Sequence, residues 1–316
     1  MTAADSTGDP VVAEVVRNEF VESRHHGRVV ALDANGETVL SVGAVTEPMF
    51  PRSSVKPLQA TALLAAGWRP DDAEQVALAC ASHSGEQMHV DVVRRILASV
   101  GLDVAALQNT PDLPLDADAA RARLRTGGDK DSLHQNCSGK HAAMLATCVA
   151  NGWPIDSYRD PEHPVQLAIR GTVEQLCGER IRATAVDGCG APLFAISLLG
   201  LARAFARLAV SPVADAMRAR PDLVGGTGRD VTAAMRDIAG LVAKDGAEGV
   251  YAAALPDGRA VALKVEDGAG RARGPVLAAA LERLGAPPHA TASLREVPVL
   301  GHGEPVGCVR AVLRSG

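Results

Sequence analysis

Aromatic residues are scarce in this sequence, at 3% of 316 residues, so aliphatic side chains within a hydrophobic fraction of 47% must build the core. Long apolar runs are also missing. The longest, Leu193 to Ala202, falls short of the roughly 20 residues that a membrane-spanning helix needs, and Arg203 ends it. We expect a globular protein with a buried helix at this run and no membrane partner.

Blocks of like charge are absent as well. Acidic and basic residues are mixed along the chain, and the formal net charge is −5. Binding to nucleic acid or to an anionic membrane surface usually needs clustered positive charge, so the expected partner is a small molecule. Residues 1–10 contain neither the basic nor the apolar region of a secretory signal, which favours a cytoplasmic location.

Cysteine is infrequent, and no two cysteines form a Cys-x-x-Cys pair. Six scattered cysteines in a chain of this length are typical of reduced thiols in the cytoplasm. Spacing alone favours free core thiols or a disulfide over a metal site. A zinc site would need Cys137 and Cys189 as thiolates and one more donor, with His141 the ordinary choice and a neutral Lys140 the unusual one.

Turn pairs and apolar periodicity predict an α/β fold. Asn35-Gly36 and Asp257-Gly258 are preferred in tight hairpin turns, between strands at 28–33 and 37–43 and at 249–255 and 259–266. Periodicity predicts helices over 53–66, 72–79, 86–100, 116–125, 140–150, 165–176, 193–208, 213–218 and 275–284, and a last strand over 306–313. We expect an antiparallel sheet built from both chain ends around a helical middle, as one domain or two tight lobes with an insert around 70–245.

A glycine cluster, Gly225-Gly226-Thr227-Gly228, interrupts this pattern. Its spacing fits neither the dinucleotide-binding motif nor the P-loop. We interpret it as a flexible loop.

The pair Ser53 and Lys56 is the first candidate for chemistry. Three residues apart at a predicted helix start, the two side chains share one face, and the free N–H groups there favour developing negative charge. A lysine deprotonates a serine nucleophile when burial or a second cation lowers the lysine pKa from about 10.4. The alternative is a helix-capping serine followed by a solvated lysine.

Two further features support a catalytic interpretation. The run Cys80 to Glu86 places Ser82 and His83 in a polar loop between predicted helices, where functional residues are common. Lys264 lies in an otherwise apolar predicted strand just after a hairpin turn. If it faces the site, its charge lowers the pKa of Lys56, and if it faces water it is an ordinary edge lysine.

Taken in order, these motifs resemble a known family over nearly the whole chain: the asparaginases similar to the inducible, thermolabile enzyme of Rhizobium. The resemblance is carried by Phe20-Val21-Glu22-Ser23, Phe50 to Pro57, Ser82-His83-Ser84-Gly85-Glu86, Asn136 to His141, Asp187 to Pro192, and Lys264-Val265-Glu266-Asp267-Gly268. The one departure is Ser84, where relatives are expected to carry asparagine.

The resemblance implies a fold like that of the serine β-lactamases and glutaminases, and a homodimer. It implies Ser53 as nucleophile beside Lys56, with Ser82 and Lys264 as a second pair. It further implies a zinc ion bound next to the serines by three residues, with Asp187 just outside them. These three ligands are Cys137, Lys140 and Cys189.

The expected function is therefore hydrolysis of L-asparagine to L-aspartate and ammonia, with zinc ordering the pocket. Arg52, His141 and Asp187 are candidate contacts for the charged α-groups of the substrate. Alternatives are a glutaminase, a β-lactamase or transpeptidase, or a zinc-binding module without catalysis. The absence of a Lys-Thr-Gly or Ser-Asp-Asn sequence weakens the β-lactamase alternative.

Overall fold

A mostly antiparallel framework of strands from both chain ends organises the structure, a computed structural model that describes residues 8–313. Residues 1–7, part of the segment where no secretory signal is expected, and residues 314–316 lie outside the described residues. The strands are β1 (Val11–Arg17), β2 (Phe20–Leu32), β3 (Thr38–Val42), β4 (Pro48–Met49), β5 (Thr184–Val186), β6 (Pro192–Phe194), β7 (Ile196–Ser197), β8 (Val242–Asp245), β9 (Val250–Ala254), β10 (Ala260–Val265), β11 (Val297–Gly301) and β12 (Glu304–Ala311).

Helices fill most of the chain between β3 and β8 and pack on the sheet. They are α1 (Lys56–Ala65), α2 (Ala73–Ala79), α3 (Gln87–Ser99), α4 (Ala117–Arg125), α5 (Ser138–Asn151), α6 (Pro164–Cys177), α7 (Leu198–Leu208), α8 (Pro212–Ala219), α9 (Pro221–Val224), α10 (Asp230–Asp237), α11 (Arg273–Arg283) and α12 (Ala292–Arg295). Short 3₁₀ turns cover Arg52–Val55, Val104–Ala106 and Gly270–Ala272.

The main sheet has the strand order β11-β12-β1-β2-β10-β9-β8, and β3 pairs with β2 beside this path. The long strand β2 joins the two halves, because its first part pairs with β1 and its second part with β10. The predicted sheet from both chain ends is confirmed. Both predicted hairpins are also present, and Gly36 and Gly258 have positive φ angles, +82° and +92°. Asn35 and Asp257 do not, so neither turn is the type I′ turn that these residue pairs favour.

The centre of the sheet is covered on both faces. Consecutive residues of β9 and β10 are buried, whereas a strand with one face in water would alternate. Helices α7 and α11 pack against this part of the sheet, and α1 packs against α5 and α6. Among the described residues, none of the helices has the length and apolar character to span a membrane.

Three local predictions differ from the structure. Helix α1 begins at Lys56, three residues later than predicted, because Ser53 lies in a 3₁₀ turn. The apolar run predicted as one helix over 193–208 starts as strands β6 and β7, and only then does α7 follow, capped by the Ser197 hydroxyl. A short apolar run has no periodicity that separates strand from helix. The glycine cluster is held by hydrogen bonds, as described below.

Candidate active site

Ser53 lies in the 3₁₀ turn that leads directly into α1. Its neighbour Arg52 has a φ of +51°, a left-handed conformation that residues other than glycine rarely adopt. Such a conformation costs about 1–3 kcal/mol and clusters at functional sites. The turn presents Ser53, which is partly exposed, at the start of the helix.

The side chain of Lys56 is buried, with 1% of its surface exposed, and its amino group contacts Ser82. The Nζ atom donates to the Ser82 hydroxyl at 3.0 Å and to the carbonyl oxygen of Ala81 at 2.6 Å. Lys56 is therefore not the solvated lysine of the alternative interpretation. It links the turn that carries Ser53 with the loop that carries Ser82.

The loop that carries Ser82 is fixed by neighbouring segments. The Ser82 N–H donates to the carbonyl oxygen of Val224 at 3.2 Å, and the His83 N–H donates to that of Asn136 at 3.1 Å. The His83 ring is buried and contacts the hydroxyl of Ser138 through Nε2 at 2.9 Å. Burial lowers the pKa of His83 well below its usual value, so this imidazole is neutral and holds the loop in place.

A second buried lysine, Lys244 in the edge strand β8, was missed by the sequence reasoning. It is fully buried, and its amino group donates to the Asp245 carboxylate at 2.5 Å and to the Asp245 carbonyl oxygen at 2.7 Å. Burial lowers the pKa of Lys244 to about 8; the charge of Asp245 opposes this shift and that of Lys56 adds to it. Lys244 therefore lies close to Lys56.

The sequence around Lys244 contained a usable signal. Lys244 ends an apolar run and is followed by Asp245-Gly246, so the sequence here differs from a Lys-Thr-Gly motif only at its middle residue. The glycine permits close approach to the nucleophile turn, because a Cβ at Gly246 would lie 2.8 Å from the carbonyl oxygen of Pro51. The pairing of β8 with β9 brings this strand end against the Ser53 turn.

Lys264 has other contacts. Its amino group donates to the carbonyl oxygens of Glu248 and Val265, both at 2.6 Å, and makes no hydrogen bond to Ser53, Lys56 or Ser82 among the described residues. Glu248 in turn lies 3.6 Å from the Arg52 guanidinium. The structure thus brings Lys56, at the end of the Ser53 turn, into contact with Ser82, whereas the amino group of Lys264 bonds to the turn that carries Glu248.

The three residues expected at the zinc site cluster beside these groups. Cys137 and Cys189 are buried free thiols, and the Lys140 amino group lies 3.2 Å from the sulfur of Cys189. A hydrogen bond from Cys137 lowers the pKa of Cys189 to about 5, against the effect of burial and with help from Lys140. Although burial disfavours its charged form, Cys189 and Cys137 raise the pKa of Lys140 above its usual value.

This donor set fits a zinc ion in its chemistry, because two thiolate sulfurs and an amine nitrogen are ligands that zinc accepts. Coordination by Lys140 requires loss of its proton. Within residues 8–313, the structure has no group of three or more His, Cys, Asp or Glu side chains arranged to hold a metal. A zinc site formed by these residues therefore needs Lys140 as a ligand.

The candidate substrate contacts are Arg52, Asp187 and His141. The Arg52 Nε donates to the Asp187 carboxylate at 2.8 Å, which joins the nucleophile turn to the segment that carries Cys189. His141 is fully buried, and its Nδ1 contacts the Tyr158 hydroxyl at 2.7 Å. The Nε2 of His141 has no hydrogen-bond partner among the described residues. A buried polar atom without a partner is a good candidate for contact with a ligand.

The comparisons with known proteins give the class of protein to which the chain belongs. Residues 13–311 match the model of a family of hydrolases that act on the side-chain amide of asparagine. That family is L-asparaginase II, and the chain belongs to it. No curated protein matches the sequence.

Among solved structures, a β-lactamase from Mycobacterium bovis is similar, with 14% sequence identity and a TM-score of 0.35. The match covers 77% of this chain and 88% of that chain. A similarity of this size carries no inference about chemistry. The family match alone identifies the chain as an amidohydrolase.

Proposed function

We propose that this protein hydrolyses L-asparagine to L-aspartate and ammonia with Ser53 as nucleophile. One observation carries the proposal: the buried amino group of Lys56, three residues after Ser53, lies 3.0 Å from the hydroxyl of Ser82. Its place in the chain, directly after the Ser53 turn, makes Lys56 the proposed base for Ser53 as well. Membership in the L-asparaginase II family supports the substrate.

In the proposed first step, Lys56 accepts the Ser53 proton while the Ser53 oxygen attacks the side-chain amide carbon of asparagine. The N–H of Ser53 makes no hydrogen bond with another described residue and can donate to the developing oxyanion. The C–N bond then breaks, and the nitrogen leaves as ammonia after receiving a proton. A β-aspartyl ester on Ser53 remains. Lys56 gives up the accepted proton through the Ser82 hydroxyl, and as a neutral amine it then takes a proton from the water that hydrolyses the ester and returns it to the Ser53 oxygen.

We propose that Ser82 donates the proton that the departing nitrogen receives. Lys244, in place of Lys264, is the lysine that acts with Ser82. Lys244 is supported by its complete burial and its closeness to Lys56, whereas the amino group of Lys264 bonds to two backbone carbonyl groups. In this role Lys244 is an ammonium group that returns a proton to Ser82. Its counter-ion is Asp245.

A zinc ion is the second part of the proposal, with Cys137, Cys189 and Lys140 as the residues that would hold it and Asp187 beside them. When bound, zinc supplies a fixed positive charge that orders the pocket. The chain itself holds the substrate through Arg52 and Asp187 for the two α-groups and through the free Nε2 of His141. A cytoplasmic location and a homodimer stay predictions.

The test is ammonia release from asparagine and glutamine, measured in parallel on one preparation with its metal content. We expect ammonia and aspartate in equal amounts from asparagine, and in acid-quenched samples a β-aspartyl adduct on the peptide that contains Ser53. Turnover of a chromogenic β-lactam without ammonia release would instead favour a β-lactamase. Ammonia release without any such adduct, at all quench times, would contradict the covalent mechanism.

A further inference from the structure

The glycine cluster between α9 and α10 is packed along the loop that carries Ser82. The carbonyl oxygen of Gly225 accepts the N–H of Ser84 at 2.9 Å and the Ser84 hydroxyl at 3.0 Å. The Glu86 carboxylate accepts the N–H of Thr227 at 2.8 Å and its hydroxyl at 2.7 Å. These four bonds tie the cluster to the Ser82 loop, whereas its composition alone predicts a flexible loop.

Gly226 shows why glycine is required in this cluster. Its φ is +132°, and a Cβ there would lie 2.1 Å from the Ser84 hydroxyl oxygen. Any other residue would both strain the backbone and push the two segments apart. The close packing therefore fixes the position of the residue that ends the segment, Arg229.

Arg229 bridges two parts of the proposed proton relay. One guanidinium nitrogen donates to the carbonyl oxygen of Ser82 at 3.3 Å, and another donates to the Asp245 carboxylate at 2.8 Å. The other oxygen of that carboxylate accepts the Lys244 amino group. Ser82 and Lys244 belong to different segments and make no hydrogen bond to each other among the described residues. Arg229 with Asp245 is thus the bonded route between them.

We propose that Arg229 is a positioning residue, which sets the separation of Ser82 and Lys244 by bridging the Ser82 carbonyl oxygen and the Asp245 carboxylate. This inference rests on the proposed function. Arginine suits the task, because its planar guanidinium presents donors at fixed angles to two acceptors, whereas a lysine presents a single point charge. Asp245 keeps Lys244 and Arg273 as partners when Arg229 is replaced, so the fold does not depend on this bridge alone.

The pKa of Lys244 depends on the charged groups around it, and the pH dependence of kcat is therefore a second measurement that tests the role of Arg229. The charged and titratable groups that face it are Asp245 on its own strand, Lys56 of α1, Cys80 at the end of α2, Arg229 before α10, and, across Asp245, Arg273 of α11. Burial is the main reason for the low pKa of Lys244, and the charge of Asp245 opposes it. The charges of Lys56 and, to a smaller extent, Arg229 lower this pKa further. Removing the arginine should therefore raise this pKa.

The experiment compares Arg229→Met and Arg229→Lys with a matched control, Arg236→Met, at an exposed position of α10, the helix that Arg229 precedes. We expect Arg229→Met to lower kcat for asparagine by about 10²-fold with little change in KM, as for a misplaced catalytic group. The alkaline fall of kcat should move to higher pH. Arg229→Lys should show a smaller loss of kcat without a full return, and Arg236→Met should match the wild type.

Three outcomes decide the inference. Wild-type kcat and pH profile in Arg229→Met would overturn it, and so would wild-type kcat in Arg229→Lys if the methionine variant does not fold. A loss of kcat without movement of the pH profile, together with a matching loss of folded protein, would also overturn it in favour of a purely structural role. Failure of the proposed function is seen separately, as absence of ammonia release from asparagine by the wild type.

Discussion

The amino group of Lys56 lies 3.0 Å from the hydroxyl oxygen of Ser82, so the lysine that follows Ser53 contacts the second serine directly. A proton accepted from Ser53 then has a short route to a second hydroxyl. Hydrogen-bond contact of this length is what proton transfer requires. The relationship makes one lysine common to both halves of the proposed reaction.

Replacement of Ser53 should abolish turnover. Because Ser53→Ala removes the attacking oxygen, we expect a loss of about 10⁴-fold or more in kcat for ammonia release. Ser54→Ala is the matched control, since the hydroxyl of Ser54 is buried and donates to the carbonyl oxygen of Pro51 at 2.7 Å. That variant should lose some stability and keep most of its activity. Equal activity of Ser53→Ala and wild type would exclude Ser53 as nucleophile.

The two candidate lysines can be separated by one pair of variants. Lys244→Met should lower kcat by about 10²–10⁴-fold, as expected for loss of an acid-base group. Lys264→Met should have a clearly smaller effect, because its amino group supports the turn that carries Glu248. Steady-state ammonia release from both variants is the measurement. The reverse order of effects would restore Lys264 as the second lysine.

The rate should depend on pH through Lys244. Its pKa is lowered by burial to about 8, and it must carry the proton that it donates, so kcat should fall as the pH rises through about 8. The charge of Asp245 raises this pKa, so in Asp245→Asn the fall should begin at lower pH. Full pH profiles of kcat for both proteins check this. A kcat that rises through the same range would mean that Lys244 acts as a base.

Metal content should follow the two buried thiols. Cys137→Ser and Cys189→Ser should each bind zinc at least about 10-fold more weakly than the wild type, because each replacement removes a soft thiolate ligand. Cys177→Ser is the control, a buried free thiol in α6. Elemental analysis after dialysis, together with the thermal unfolding midpoint, gives two independent readings. Equal zinc content in all three variants would remove the proposed site.

Packing at the glycine cluster predicts a difference in stability between two similar substitutions. Gly226→Ala should lower the free energy of unfolding by about 1–3 kcal/mol through overpacking against Ser84. Gly228→Ala also has a positive φ, +71°, but meets no atom within 4 Å, so it should cost only about 1 kcal/mol of backbone strain. Denaturant unfolding of both variants measures this. An equal loss of unfolding free energy in both variants would mean that the Ser84 side chain moves away from the added methyl group at little cost.

The sequence alone determined much of the local structure and supplied the candidate residues for the chemistry. The turn pairs at Gly36 and Gly258 specified both hairpins, because few other sequences adopt those backbone angles. The Ser-x-x-Lys spacing predicts Ser53 and Lys56 as a catalytic pair without reference to the fold. Local signals failed where strand and helix share one composition, as in the apolar run before α7.

Only the tertiary structure decided which distant residues meet. Strand pairing brings Lys244, at the edge of the sheet, against the Ser53 turn. Lys264 on β10 instead donates to the carbonyl oxygen of Glu248. Likewise, the backbone packing of the glycine cluster on the Ser82 loop places Arg229 between Ser82 and Asp245. The contacts of Arg229 with Ser82 and of the Lys244 strand with the Ser53 turn join residues more than a hundred positions apart. They depend on register and packing across the whole chain, which no local pattern of residues encodes.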